Sequence, residues 1–387
     1  MRILMVEHSG KSGMYSYTDA LCTGLSKIGS DVTVLTSTAW PDGQRLYDVE
    51  RLFSEFTEKQ GKLTRLHWAA DRFSRSMINV LRRNRFALEE YFDVVHIQGA
   101  GLPLLDQHFL RPLVKEMSVV LTVHDVMSHY KHFVSSDSFM RKNLHIPHRL
   151  IVHFENGKKQ LIEHWKVSED KIDVVPHGII PLQNQILMTD ARNKLGLPEN
   201  RKILLFFGNI RPNKGLDVLL KSMQEVVRYN PNVLLVISGA LPHGESFQPY
   251  SDLIEKLNLS EHVKTFIEFV PDEEVDFFFS ACDMVVLPYQ QFESQSGVLL
   301  RAYAHKKPVA ASDVGAMGEI IRSDRTGEVV EPGNEISLAS AINIVLKNLK
   351  KYEFNYTPEL ENRYDWEHIS SLTVQCYEKA IAQKMNQ

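Results

Sequence analysis

Residues 202–223 read KILLFFGNIRPNKGLDVLLKSM. The apolar run KILLFF stops at Gly208, a loop carrying Arg211, Pro212 and Lys214 closes at Gly215, and LDVLLKSM then places apolar residues at helical spacing. This is a strand, a tight loop and a helix, with the charge confined to the loop. Gly208 permits a sharp turn out of the strand, and the N–H groups that open the following helix form an anion site. Arg211 adds a bidentate donor and Lys214 a point charge, a combination suited to a phosphate or diphosphate. The same residue types also make an ordinary surface turn, so the unit has to be read in its context.

The context is repetition of the unit. Short apolar runs occur at 2–6, 32–35, 94–97, 119–123, 150–154 and 172–175, most of them too apolar to have a solvated face. Helical patterns at 14–28 and 63–91 fall between them. Runs at 203–207, 233–238, 263–266, 284–288 and 308–312 repeat the plan, with helical patterns at 215–229 and 271–280. Alternating strand and helix predicts α/β architecture with parallel sheets covered on both sides. A chain of 387 residues exceeds what one core organises. The expectation is two doubly wound, Rossmann-like domains facing a central cleft: residues 1–182, residues 183–365, and a terminal helix over 366–387 packing back on the first domain. Asp365 is its cap, and apolar residues at 366, 369, 373, 376 and 380 form its buried stripe. Ligands of such sheets bind beyond the carboxyl ends of the strands.

A net charge of -4 argues against a nucleic-acid partner, although residues 1–180 hold 23 Lys+Arg against 21 Asp+Glu and the remainder 21 against 27. Three widely spaced cysteines, Cys22, Cys282 and Cys376, fit neither a disulfide framework nor a zinc site. The opening MRILMVEHSG is too short in apolar residues for a signal peptide, which sets a cytoplasmic expectation.

A second loop follows the run at 284–288. In YQQFESQSGVLLRAYAHKKPVAASDVG (289–315), Glu293 precedes a helix starting near Gly297. The amides of Ser296, Gly297 and Val298 there form another cradle for an anion or hydroxyl, and Glu293 is placed to accept from sugar hydroxyls. An acidic residue interacting with the helix dipole is the bland alternative.

Together, GNIRPNKG, the Glu-x-x-x-Gly-x-x-Leu about eighty residues later and KPVAASDVG resemble the donor domain of the group 1, or family-four, retaining glycosyltransferases. DVVHIQG (93–99), LTVHD (121–125), VVPHGI (174–179), TGEVVEPGN (326–334) and YDWEHIS (364–370) extend the resemblance over essentially the whole chain. The resemblance implies the two-domain B fold, a nucleotide-diphosphate sugar bound by the second domain, a saccharide or lipid-linked saccharide acceptor at the first, and no cofactor or metal. It makes His124, Arg211, Lys214 and Glu293 the catalytic set. Gly13, Gly208, Asn209, Gln295, Ser296, Gly297, Val298 and Arg301 join Arg211 and Lys214 around the donor. Gly10, Ser12, His96 and His177 fall on the acceptor side.

Three positions depart from the family pattern. Asn209 stands where an arginine is common, which moves that role to Arg211. Arg301 replaces a glutamate that would hold the ribose and is expected to add to the positive field around the diphosphate. His305 and Lys306 replace a helix-ending glycine. A sugar-nucleotide epimerase of the same architecture and a non-catalytic sugar-nucleotide binder, suggested by Arg301, are the alternatives.

Twelve of the 16 histidines lie before residue 180, scattered over separate loops without metal-ligand spacing. For His96, His153 and His177 a half-buried, hydrogen-bonded histidine is the plain alternative. Residues 62–88, KLTRLHWAADRFSRSMINVLRRNRFAL, interleave apolar positions 63, 66, 70, 73, 77 and 81 with arginines. They suit peripheral contact with the inner face of a membrane, or a helix whose apolar side faces the core and whose arginines are solvated.

Overall fold

The computed structural model describes residues 1–55, 65–99, 103–126, 137–180, 182, 185–292 and 294–386. The chain divides into two compact units, Met1–Gly178 with Arg363–Gln387, and Ile179–Asn362.

In the first unit β1 (Arg2–Val6), β2 (Asp31–Ser37), β3 (Asp48–Phe53), β4 (Val94–Gln98), β5 (Ser118–Thr122), β6 (Arg149–Val152) and β7 (Ile172–Val174) form a parallel sheet in the order β3-β2-β1-β4-β5-β6-β7. Helices α1 (Ser12–Lys27), α2 (Arg65–Glu89), α3 (Pro103–Glu116), α4 (Asp137–His145) and α5 (Glu155–Glu163) connect them. Strand alternation builds a core on each face. Leu4 and Val6 of β1 pack with Ala87 of α2 and Leu113 of α3, whereas Ile3 and Met5 pack with Leu21 and Leu25 of α1.

The second unit repeats this plan. Strands β8 (Lys202–Phe207), β9 (Val233–Ser238), β10 (Val263–Phe266), β11 (Met284–Leu287), β12 (Val309–Ser312) and β13 (Gly327–Val330) form a parallel sheet in the order β10-β9-β8-β11-β12-β13. Its helices are α6 (Met188–Leu195), α7 (Leu216–Tyr229), α8 (Gln248–Lys256), α9 (Asp272–Ala281), α10 (Gly297–Ala304), α11 (Met317–Asp324), α12 (Glu335–Lys347), α13 (Leu349–Phe354) and α14 (Pro358–Arg363). In both sheets the strand order reverses beside the first strand of the unit, the place where a doubly wound sheet opens a crevice.

The last helix, α15 (Trp366–Met385), returns to the first unit. The Asp365 carboxylate caps it, accepting from the N–H groups of Glu367 at 2.8 Å and His368 at 3.4 Å. Trp366, Ile369, Thr373, Cys376 and Ala380 are all buried. Gly24 lets α1 and α15 approach, since a Cβ there would lie 2.6 Å from the Trp366 carbonyl oxygen. Gly178 is pressed against the same residue, with a Cβ position only 2.5 Å from the indole ring. That packing ends the first unit at Gly178, four residues before the expected boundary at 182, and the return begins at Arg363.

Two strands were not expected. β3, DVERLF, is an edge strand with alternating exposure, and only Phe53 is buried. β13, GEVV, is half-buried throughout. Neither has the continuous apolar run that marks a central parallel strand.

Helix α2 keeps Val80 and Ala87 in the core but departs from the expected amphipathic reading elsewhere. Ser76, Asn79, Arg83 and Asn84 face inward, while Phe73, Ile78, Leu81 and Leu88 are 41%, 42%, 50% and 47% exposed. Asn79 explains part of this, because its amide pairs with both backbone groups of Ser54 at 2.8 and 3.0 Å and finishes the edge strand. Arg83 explains the rest. It is fully buried and donates to Asp106 of α3 at 2.8 Å and to Asn84 at 3.1 Å. The expectation of a core-facing apolar stripe with solvated arginines is therefore corrected at these positions. Residues 63 and 64 lie outside the described residues.

Candidate functional site

The structure brings the two loops of the second unit together. After β8 the chain turns at Gly208, whose φ of +103° suits glycine, and Gly208 N–H donates to the Ser238 carbonyl at 2.9 Å. Asn209 and Arg211 are exposed, and residues Pro212–Lys214 make one 3₁₀ turn. Gly215, at φ +67°, starts α7. A Cβ on Gly215 would lie 2.0 Å from the Pro288 carbonyl oxygen, so the approach of this turn to the loop after β11 requires glycine. Gln290 N–H donates to the Asn213 carbonyl at 2.8 Å, and the Asn213 amide donates to the Gln291 carbonyl at 3.2 Å. These bonds seat GNIRPNKG directly against YQQF.

Lys214 is thereby placed on aromatic faces. Its Nζ lies 3.5 Å from the ring centroid of fully buried Tyr289 and 4.5 Å from that of Phe292. Desolvation, with a smaller contribution from Arg211, lowers its pKa to about 8. Among the described residues neither Lys214 nor Arg211 has a carboxylate partner. Two neighbouring cations without counter-ions among the described residues, at the end of a parallel strand, suit an anion.

Ser296 caps α10, its Oγ accepting from Leu299 N–H at 3.3 Å, so the first N–H groups of the helix follow directly after the loop. Gly297 has open space where a Cβ would point, and Val298 approaches Gly208, its Cγ2 3.6 Å from a Cβ built there. Both polar atoms of the Gln295 amide are buried without a hydrogen-bond partner among the described residues. They leave a donor and an acceptor beside the helix start for a hydroxyl-bearing ligand. Glu293 lies outside the described residues.

Arg301 is corrected. Its Nη1 donates to Asp276 Oδ1 on α9 at 3.2 Å, and His305 Nε2 meets the same oxygen at 3.1 Å. The guanidinium charge is matched by a carboxylate and does not add a free positive field around an anion. His305, placed by sequence as a local capping residue, belongs to this network and is held below the usual histidine range by burial.

In the first unit the glycine loop hangs on Glu7, which the sequence reading passed over. The nearly fully buried Glu7 carboxylate accepts from Ser9 N–H at 2.9 Å, Ser9 Oγ at 2.8 Å, Gly10 N–H and Thr36 Oγ1. Gly10 is at φ +68°, and a Cβ there would be 2.7 Å from Trp40 N. Ser12 opens α1, and a Cβ on Gly13 would meet nothing within 4 Å. Gly10 is required by the close pass of Trp40, whereas the backbone at Gly13 is open.

His124 follows β5 and is half-buried. Its ring stands edge-on to Tyr17 at 4.9 Å, and its Nε2 lies 3.0 Å from Gln98 Oε1. His153 holds the other side of the ring: its Nδ1 donates to the Val175 carbonyl at 2.9 Å, which leaves its Nε2 to accept from His124 Nδ1 at 3.1 Å. Burial and the neighbouring histidines keep His124 well below the usual histidine range. His177 packs on Tyr17 and Trp366, with Nδ1 2.7 Å from the Gly178 carbonyl.

His96 is corrected from the acceptor side to the core. Strand alternation turns it toward α15, where Nδ1 lies 2.6 Å from Tyr377 Oη and Nε2 2.7 Å from Thr122 Oγ1. It is fully buried, and burial drives its pKa down to about 3. The sequence signal for Glu7, Tyr289, Phe292 and Gln98 was their position at or just beyond a strand's carboxyl end, where ligand-contacting residues of these sheets collect.

Residues 188–355 match the family model for glycosyl transferases group 1, and residues 11–181 that for glycosyltransferase family 4. The D-inositol 3-phosphate glycosyltransferase of Nocardia farcinica is 27% identical over 319 residues, 78% of this chain and 70% of that one. Alignments with other curated relatives span from 50% to 76% of their length. The sucrose-phosphate synthase of Thermosynechococcus elongatus superposes with a TM-score of 0.76 at 19% identity, covering 99% of each chain. An Anabaena protein crystallised in complex with UDP gives 0.71 at 18% identity over 97% of this chain and 99% of that one. These two structures bear on the fold, and the family models bear on kinship. With one model on each half, the chain belongs to the group 1, family-four glycosyltransferases and has their two-domain B fold.

Proposed function

We propose that the protein transfers a sugar from a nucleotide-diphosphate donor to an acceptor hydroxyl with retention of configuration and without a metal. The observation that carries this reading is the pair Arg211 and Lys214, which have no carboxylate partner among the described residues and sit beside the amides that open α7. As the glycosidic bond breaks, charge accumulates on the departing diphosphate, and two fixed cations stabilise it in the role a divalent ion otherwise takes. The sugar passes through an oxocarbenium-like state, the acceptor attacks on the leaving-group face, and a phosphate oxygen takes the acceptor proton. No protein nucleophile is required. The Gln295 amide, without a hydrogen-bond partner among the described residues, supports sugar hydroxyls at the start of α10, and His124, held through Nδ1 by His153, is the side chain the first unit offers toward an acceptor. UDP bound to the Anabaena structure supports a nucleoside diphosphate as the leaving group here, and the inositol phosphate named for the Nocardia relative supports a small polyol or a glycolipid as acceptor class.

The expected result with EDTA is activity within about twofold of the untreated enzyme, read as nucleoside diphosphate release from the nucleotide sugar that best stabilises the protein in a thermal-shift panel. Loss on chelation with recovery in manganese would refute the metal-independent reading.

Peripheral membrane contact through α2 is supported by a separate observation, the exposed row Phe73, Ile78, Leu81 and Leu88. At the end of α2 an open groove of about 710 Å³ is lined by Leu88, Tyr91, Arg111 and Lys115 together with Glu90 and Glu116, which combines apolar surface with charges of both signs. No helix among the described residues is long and apolar enough to cross a membrane, so docking is the mode this surface suits. Co-sedimentation with vesicles containing phosphatidylglycerol is expected to exceed that with phosphatidylcholine alone by at least fivefold at low salt. Leu81→Glu should abolish the difference, and equal sedimentation with both vesicles would reject the docking reading.

A further inference from the structure

Lys214 poses a physical question that the diphosphate reading does not answer. A flexible, strongly hydrated ammonium would ordinarily stay in water or pair with a carboxylate. Here it is half-buried and lies over two ring faces, both inside the distance of about 6 Å at which a ring quadrupole attracts a cation. Arg211, a neighbouring cation, disfavours its charge. Asp217, one turn further on, is paired with Lys221 at 3.6 Å. Tyr289 is fixed from below by complete burial, and Phe292 stands across it with ring centroids 5.4 Å apart at 67°. The backbone that carries both rings is locked to the lysine's own turn by the Gln290 to Asn213 bond and by the close pass of Gly215 on Pro288.

We propose that Tyr289 and Phe292 form an aromatic cradle that holds the Lys214 ammonium, which has no counter-ion among the described residues, ready to be taken over by the donor diphosphate, and that both are positioning residues of the transfer. This rests on the diphosphate reading above. The physical advantage lies in the choice of partner. A carboxylate would hold the ammonium as tightly as the phosphate does and would have to be displaced, whereas ring faces orient it and release it to a full negative charge. The cradle also removes water that the phosphate would otherwise have to strip. Desolvation places part of the lysine population in the neutral form at mildly alkaline pH, so binding of a diphosphate there draws a proton onto Lys214. Tyr289, whose pKa burial raises to about 12, and Arg211, permanently charged, do not exchange protons in this range.

The test titrates UDP, GDP and ADP in turn by calorimetry into the full-length wild type, Lys214→Ala, Tyr289→Phe, Tyr289→Leu and Phe292→Leu. Two buffers of different ionisation heat are used at pH 6.5 and pH 9, and the diphosphate that binds wild type best is carried through. Wild type is expected to take up a substantial fraction of a proton at pH 9, where the phosphates are fully ionised. Tyr289→Phe keeps the ring face and should bind within twofold of wild type with the same uptake. Tyr289→Leu should bind at least fivefold more weakly, and its proton uptake at pH 9 should fall because a solvated lysine stays charged. Phe292→Leu, at the half-buried ring, should move both quantities the same way and serves where Tyr289→Leu does not fold. Unchanged proton uptake in folded leucine variants, or affinity equal to that of Tyr289→Phe, overturns the cradle. Wild-type affinity in Lys214→Ala overturns the diphosphate reading instead, so the two failures are distinct.

Discussion

Replacing Lys214 by alanine will lower kcat by about 10²- to 10³-fold while leaving the thermal unfolding midpoint close to wild type. The magnitude is that of deleting one preorganised donor to a developing oxyanion, and Lys214 meets that description because its aromatic setting strips it of water before the ligand arrives. The fold should tolerate the change. Lys214 is half-buried, and the turn that carries it is held by the backbone bonds of Asn213 and Gly215 rather than by its ammonium. Nucleoside diphosphate release measured at saturating donor, with KM determined alongside, separates the outcomes. A drop confined to KM would make Lys214 a ground-state binder, and near wild-type turnover in a folded variant would remove it from the catalytic set.

The second large effect is expected on stability. Arg301→Glu will destabilise the second unit by about 2–3 kcal/mol, below the 3–5 kcal/mol of a fully buried pair because Arg301 retains some exposure. The variant does more than lose a donor. It sets a carboxylate against Asp276, whose side chain is only 9% exposed and which keeps His305 as its remaining described partner. Urea denaturation at pH 7 measures the loss, and the deficit should shrink toward pH 4 as one of the two carboxylates becomes protonated. The double variant Arg301→Glu with Asp276→Arg should recover most of it. A stability equal to wild type in the single variant would show that the ion pair is idle, and Arg301 would again be a candidate for direct contact with the donor.

Arg301 also marks a limit of reading motifs. Aligned against the family pattern, it appears as a cation in the donor site, because a pattern records position along the chain. Its actual partner, Asp276, lies 25 residues earlier on α9, and nothing local announces the pairing. His96 failed in the same way. The family resemblance set it on the acceptor side, but β4 alternates its side chains, and the parity of position 96 turns the ring toward Tyr377, 281 residues away, which is the plain reading of a buried, hydrogen-bonded histidine. Helix α2 buries Asn79 and Arg83 beside Val80 and Ala87 because both polar side chains have partners inside, which a periodicity count based on apolar residues does not weigh. Glycines fared better. Gly208 was read as a sharp turn out of its strand and has positive φ, as do Gly10 and Gly215.

By itself the sequence determined the architecture: apolar runs too continuous to face water require parallel strands covered on both sides, and their alternation with helical spacing in two halves requires two doubly wound sheets. It also determined which loops carry charge, since those loops must leave the ends of such strands. Only the tertiary structure decided what each charge is for. Lys214 in the turn before α7 and Arg301 within α10 are both cations near a strand-to-helix loop, yet one lies over Tyr289 and Phe292 with no counter-ion among the described residues and the other is matched by Asp276. The distinction depends on residues distant in the chain. Electrostatic and cation–π energies fall off over a few ångströms in space and take no account of separation along the sequence.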